Sequence, residues 1–217
     1  MPGEYAVIGA GQFGRAVALS LASKGQSVMV LDRRADILGG LQDEVDAVLV
    51  LDSTDEKALM EIGVQRVSTA IVAIGMDSLE ASIMTTALLR QLGVPRIVAR
   101  AINNLHARVL RAVGAHEVVD PEEEMGRRLA QRLMQPSIRE QLELGNATLA
   151  EVQLPAQFVG KSLKDLDMRN KFGLSVVVVK RGDQVVANPS ATEALQVGDI
   201  LVLFGTHEAI EKLARLV

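Results

Sequence analysis

The residues best suited to chemistry sit near the start of the chain. Gly9-Ala10-Gly11-Gln12-Phe13-Gly14 lies between an apolar run and a segment of helical period, and Asp32 closes the next apolar run 23 residues after Gly9. In a strand-turn-helix setting, Gly9 permits the tight turn, Gly11 lets backbone approach a pyrophosphate, and Gly14 lets the helix pack closely on the strand. The helix start offers free N–H donors and a positive dipole end to phosphates, and Asp32 can hold ribose hydroxyls. A tight turn with Asp32 merely capping the next helix is the plainer alternative. The Asp32 charge disfavours a 2′-phosphate and hence NADP, although Arg33 and Arg34 can offset part of it.

Further polar residues fall where strands are predicted to end: Asp52-Ser53-Thr54, Gly75, Arg100, and Asp120 to Glu124. In open α/β sheets, ligands bind outside the carboxyl ends of the strands. Ser53 with Glu56, and Asp77 with Glu80, fit a capping box as well as a ligand contact. Arg100 has no capping role at a strand end and suits a phosphate, with a solvent-facing arginine as the alternative. Glu122, Glu123 and Glu124 follow Pro121 at a helix start, where acidic side chains favour the dipole. One of them, Glu122 first, can instead face a ligand and share a divalent cation with phosphate oxygens. Gly160-Lys161-Ser162 ends like a phosphate loop, but Pro155 stands where that loop needs its first glycine. His106, His116 and His207 are dispersed, without metal-ligand spacing.

The elements that must position these residues alternate. Apolar runs Tyr5 to Gly9, Ser27 to Leu31, Ala47 to Leu51, Thr69 to Ile74, Arg96 to Arg100 and His116 to Val119 predict strands. The segments Phe13 to Ser23, Ala35 to Glu44, Glu56 to Ile62, Ser78 to Leu92, Asn103 to Val113 and Glu122 to Met134 predict helices. Six such units predict an α/β fold with a Rossmann-like, doubly wound parallel sheet of six strands, covering residues 1–135. After Gln135-Pro136-Ser137, a hinge helix is expected from Ile138 to Leu144 within a linker at 136–146, with Ser137 as its cap and Gly145-Asn146 as its end. Residues 147–217 predict a small α+β lobe. Its strands are Leu149 to Leu154, Ser175 to Lys180, Gln184 to Val186 and Ile200 to Phe204, with a hairpin at Arg181-Gly182-Asp183 and helices near Leu163 to Met168 and Glu208 to Leu216. At about 70 residues this lobe is marginal alone, so docking or dimerisation is expected. Met125, Leu129 and Leu133 recur every four positions, a stripe that fits either intrachain core or a dimer seam.

Composition narrows the classes. The chain has 217 residues, no cysteine, and a net charge of -4. There is accordingly no disulfide framework, thiolate metal site or cysteine nucleophile, which fits a reducing compartment and a cytoplasmic address. The longest apolar runs fall far short of the roughly 18 residues that span a bilayer. Met1-Pro2-Gly3-Glu4 lacks the basic and apolar regions of an export signal. The acidic balance, with no basic block and only 2% aromatic residues, argues against nucleic acid as a partner. A small NAD-dependent oxidoreductase needs a proton donor or base beside its reacting carbon, and the candidates are thin. Tyr5 is the only tyrosine and lies at the start of the first strand. A nucleotide-binding switch explains the same residues with fewer missing parts, and the oxidoreductase stands as the alternative.

Over nearly its full length the chain resembles the RCK (KTN) family, the cytosolic regulatory subunits of Trk/Ktr-type potassium transporters. The resemblance is carried by Ala6 to Gly14, Val72-Ala73-Ile74-Gly75, Arg100-Ala101 and Pro121-Glu122-x-x-Met125-Gly126. It continues through Gly160-Lys161-Ser162-Leu163, Arg169-Asn170-Lys171-Phe172-Gly173 and Gly198-Asp199-Ile200-Leu201-Val202. It implies a non-enzymatic sensor, cytoplasmic and peripheral at the inner face of the membrane. Dimers joined through the last helix of the first domain and the hinge would assemble as a ring, usually an octamer, beneath a membrane-embedded potassium-translocating subunit.

The resemblance also implies ligands. ATP, ADP or NAD(H) would lie in the glycine-rich cleft, with Gly9, Gly11, Gln12, Phe13 and Gly14 around the phosphates and Asp32 and Arg33 at the ribose. Asp52, Ser53, Ala73, Ile74 and Gly75 would surround the adenine, Arg100 and His106 would reach phosphates, and Glu122 would approach the terminal phosphate or its divalent cation. Arg169, Val176 and Pro189 would mark a second site for a cyclic dinucleotide. Gln12 stands where many Ktr-type members carry arginine, which removes one cation from the phosphate side and leaves the activating nucleotide open. Ser175 is less amide-like than the asparagine of some cyclic-dinucleotide binders.

Overall fold

The computed structural model describes residues 4–217, apart from the side chain of Asp77. Met1-Pro2-Gly3, considered above for an export signal, and the Asp77 side chain, considered for a cap, lie outside the described residues. Two compact units form, one through Met125 and the other from Gly126 to Val217.

In the first unit six strands pair in parallel: β1 (Glu4–Ile8), β2 (Ser27–Asp32), β3 (Ala47–Val50), β4 (Thr69–Val72), β5 (Arg96–Arg100) and β6 (Glu117–Val119). Their order, β3-β2-β1-β4-β5-β6, reverses direction between β1 and β4. That reversal opens a crevice at the carboxyl ends of the two central strands. Helices α1 (Gln12–Ser23), α2 (Glu56–Glu61), α3 (Leu79–Gln91) and α4 (Asn104–Ala112) connect the strands. Two apolar clusters form the core, one around Leu59, Leu89, Ile97 and Leu110, the other around Ala18, Val28, Leu38 and Leu41. Ala6, Val7 and Val72 are fully buried, which is why β1 and β4 read as unbroken apolar runs instead of alternating ones.

The helix expected over Ala35 to Glu44 does not form. One 3-10 turn spans Ala35–Leu38, and Gly39-Gly40 end it, with Gly40 at φ +73. The Arg15 guanidinium donates to the carbonyls of Ile37 and Gly39 and holds this segment against α1. The caps also differ from the expected pairs. Asp55 accepts from the N–H groups of Lys57 and Ala58 at the start of α2, and Ser78 accepts from Ala81 N–H at the start of α3.

Helix α5 (Pro121–Met134) begins after Asp120, whose carboxylate accepts from Glu123 N–H at 3.0 Å. None of its residues is buried, and Met125, Leu129 and Leu133 are exposed by 57%, 47% and 74%. The stripe is therefore not intrachain core.

In the second unit the expected hinge helix over Ile138 to Leu144 is strand β7 (Ile138–Leu144), antiparallel to β8 (Ala147–Gln153). Leu144 pairs with Ala147, so Gly145-Asn146 is a two-residue hairpin turn, with Gly145 at φ +68. Ser137 caps no helix; its hydroxyl donates to the Ala214 carbonyl at 2.9 Å. Strands β9 (Ser175–Arg181), β10 (Gln184–Ala187) and β11 (Ile200–Thr206) complete a five-stranded antiparallel sheet ordered β10-β9-β11-β8-β7. Helices α6 (Leu163–Leu166), α7 (Met168–Phe172) and α8 (His207–Ala214) complete it. Leu174, Leu201, Leu203, Ile210 and Leu213 are fully buried in its core. Asp199, also fully buried, accepts two hydrogen bonds from the Arg181 guanidinium, both at 2.9 Å, and one from Gln196 N–H.

Candidate functional site

The crevice beyond β1 and β4 is a cleft of about 880 Å³. Its floor is the glycine turn. Gly9 takes φ +102, and a Cβ there would meet the Ala73-Ile74 backbone at 3.0 Å. A Cβ on Gly14 would fall 1.9 Å from the Gly9 carbonyl oxygen, so α1 can lie this close to the strand end only with glycine. A Cβ on Gly11 would have no atom within 4 Å, yet Gly11 lines the cleft. The three glycines thus divide as expected between turn, ligand approach and helix packing. Gly11 caps α1 without a side-chain hydrogen bond, which leaves that helix start to a ligand's acceptors.

Asp32 ends β2 and faces this turn. Its carboxylate accepts from Ala10 N–H at 2.8 Å and from Arg34 N–H at 2.9 Å. The two bonds fix the carboxylate and leave lone pairs for a diol. Arg33 and Arg34 line the cleft beside it. Asp52 accepts from the Thr54 hydroxyl at 2.7 Å and the Thr54 N–H at 2.9 Å. These two bonds, aided by the Arg33 charge, outweigh a small burial cost and hold the Asp52 carboxyl below its ordinary 3.8. Ser53 is buried, and its hydroxyl shares a 2.7 Å hydrogen bond with Thr85.

At the opposite end stands Arg100, closing β5. Its side chain is 15% exposed, its guanidinium carbon lies 5.8 Å from the centre of the Phe13 ring, and it forms an ion pair with Glu122 on the first turn of α5. Its Nε is buried without a partner among the described residues. Gln12, Ala73, Ile74 and Gly75 complete the wall with Ile8, Leu51, Met76, Ala81 and Met84. Of these, the apolar lip made by Met76, Ala81 and Met84 was not legible as a site. Ala81 and Met84 are three apart on α3 and read as helix core.

His106 does not line the cleft. It is 4% exposed on α4, both ring nitrogens lack partners among the described residues, and burial pushes its pKa below the ordinary 6.5. A direct phosphate contact is therefore not what this geometry offers. Gly14 lies beneath the turn and also does not line the cleft. In the second unit, Arg169 donates to the Ser175 hydroxyl at 3.5 Å, Val176 lies on β9, and Pro189 follows β10.

A divalent cation beside Glu122 would need phosphate oxygens of a ligand to complete its coordination. Glu122 is one carboxylate already engaged by Arg100, and among the described residues no group of three or more His, Cys, Asp or Glu is placed to hold a metal ion. The cleft otherwise offers a fixed carboxylate for a diol, backbone N–H groups and guanidinium for anionic oxygens, and an apolar lip for a flat ring. Among the described residues, no helix is long and apolar enough to cross a membrane.

Comparison with known proteins adds the family. The model for the TrkA-N domain matches residues 5–121 and that for the TrkA-C domain matches residues 148–217. The Ktr system potassium uptake protein C of Bacillus subtilis (strain 168) is 36% identical over 218 residues, covering 100% of this chain and 98% of its own. The solved GsuK RCK domain is 22% identical with a TM-score of 0.67, over 100% of this chain and 48% of that one. The GsuK channel bound to NAD is 24% identical with a TM-score of 0.56, over 99% and 38%. This chain spans less than half the length of those solved chains, and at such identity they establish the fold alone.

Proposed function

Since the chain belongs to the RCK (KTN) family of TrkA-N and TrkA-C domain proteins, we propose that it is a nucleotide-sensing regulatory subunit of a potassium uptake system. The observation that carries nucleotide binding is the Asp32 carboxylate fixed on the backbone N–H of Ala10, inside the glycine turn. Gly9, Gly11 and the start of α1 would hold phosphates, with Gly14 packing the helix beneath them, Asp32 the ribose, and Asp52, Ala73, Ile74 and Gly75 the adenine side. Arg100 would take the outer phosphate of ATP, ADP or NAD(H).

The role in potassium uptake is supported by the named activity of the relative matched end to end. In this reading the protein is cytoplasmic and works at the inner face of the membrane through an embedded potassium-translocating partner. Copies pair through the exposed stripe of α5 and assemble as a ring. Nucleotides then act by binding two ring geometries unequally, and each coupled site can contribute about 1–3 kcal/mol of bias. The reading is non-enzymatic. It is supported by the potassium uptake named for the relative matched end to end.

Mass spectrometry of the nucleotide retained on purification, with the native mass of the assembly, tests this. An adenine nucleotide on an oligomer is expected. A monomer that binds no nucleotide, or substrate-dependent changes in NADH absorbance, would overturn it.

A further inference from the structure

The candidate nucleotide cleft carries its own competing anion. Arg100 is nearly enclosed. Its guanidinium is held over the Phe13 ring, and a Cβ on Gly75 would lie only 3.5 Å from one of its terminal nitrogens. A cation placed so needs an anion, because the low dielectric raises the cost of leaving it unpaired. Glu122 supplies that anion while its own side chain stays 63% exposed.

The two partners are unequal. The Asp120 carboxylate anchors the start of α5 by accepting Glu123 N–H, so the Glu122 carboxylate can swing into water and still favour the helix dipole. Arg100 has no comparable escape. An incoming phosphate would then displace Glu122 and keep Arg100, whose Nε–H has no acceptor among the described residues.

We propose that Glu122 is a specificity-determining residue that stands in for the ligand's outer phosphate on Arg100, so that only a ligand whose anionic end reaches Arg100 releases it. The proposal rests on reading the cleft as a nucleotide site. It makes the affinity of every phosphorylated ligand net of one displaced ion pair, and it ties the first turn of α5 to the charge of the bound molecule. An exchange of this kind at a partly exposed pair corresponds to roughly a two- to fivefold effect on affinity.

The test is calorimetric titration of adenosine, AMP, ADP and ATP, with EDTA present, into the full chain and its Glu122→Gln, Arg100→Gln and doubly substituted forms. Glu122→Gln should tighten ADP and ATP roughly two- to fivefold and leave adenosine unchanged, and the gain should vanish when Arg100→Gln is added. Unchanged or weaker ADP and ATP binding in Glu122→Gln, or an equal gain for adenosine, would overturn the proposal while wild-type binding upholds the site. Absence of any nucleotide binding by the wild type would overturn the site reading and this inference together.

Discussion

The carboxylate of Asp32 accepts the backbone N–H of Ala10 at 2.8 Å, joining the end of β2 to the glycine turn 22 residues earlier. One side chain thereby fixes the turn and presents oxygen to whatever lies in it. Asp32→Ala should abolish nucleotide binding by calorimetry. It should also cost about 1–3 kcal/mol in denaturant unfolding, because Ala10 and Arg34 lose their acceptor. Unchanged nucleotide affinity would sink the ribose assignment.

The glycines separate folding from binding. Gly14→Ala puts a Cβ against the Gly9 carbonyl and should destabilise the first unit by about 2–3 kcal/mol. Gly11→Ala meets no atom within 4 Å, so its stability should stay within about 0.5 kcal/mol of wild type while nucleotide affinity falls. Equal loss of stability in the two variants contradicts the division.

His106 should make the first unit acid-sensitive. Burial holds the folded imidazole below 6.5, so the unfolded chain takes up the proton more readily. Stability is then present above about pH 6.5 and falls as pH drops below that value toward the folded pKa. His106→Met removes both unpartnered nitrogens and should flatten this part of the unfolding profile. A fall of unchanged steepness in the variant would assign the sensitivity elsewhere.

Asp199 acts lower on the pH scale. Burial opposes its ionisation, but the Arg181 guanidinium and Gln196 N–H outweigh burial and hold its carboxyl below 3.8. The stability it contributes is present above about pH 4 and is lost as pH falls through the folded value. Asp199→Asn should lower the melting temperature at neutral pH and weaken the acid dependence of the second unit. Glu117→Gln, which removes the exposed partner of Arg96, should change stability by no more than about 1 kcal/mol.

The glycine turn and Asp32 were legible because their job depends on residue type and local spacing, both of which a sequence displays. The six parallel strands of the first unit followed from the alternation of apolar runs with helical segments. The hairpin at Gly145-Asn146 was not, because glycine and asparagine also end helices, and only the pairing of Leu144 with Ala147 decides between the two. The ion pair of Arg100 with Glu122 joins positions 22 apart and exists because the end of β5 and the start of α5 meet at the carboxyl end of the sheet. The resemblance alone placed His106 at a phosphate, and its burial was not legible because that depends on how α4 is rotated against the sheet.

Nucleotide-dependent regulation is tested by potassium uptake in cells that lack their own systems and express a Ktr-type translocating subunit with this chain or its Asp32→Ala form. Uptake should rise with the wild-type chain and fall back with Asp32→Ala at equal protein level. Uptake that is the same with the wild-type chain, with Asp32→Ala and with neither would contradict it.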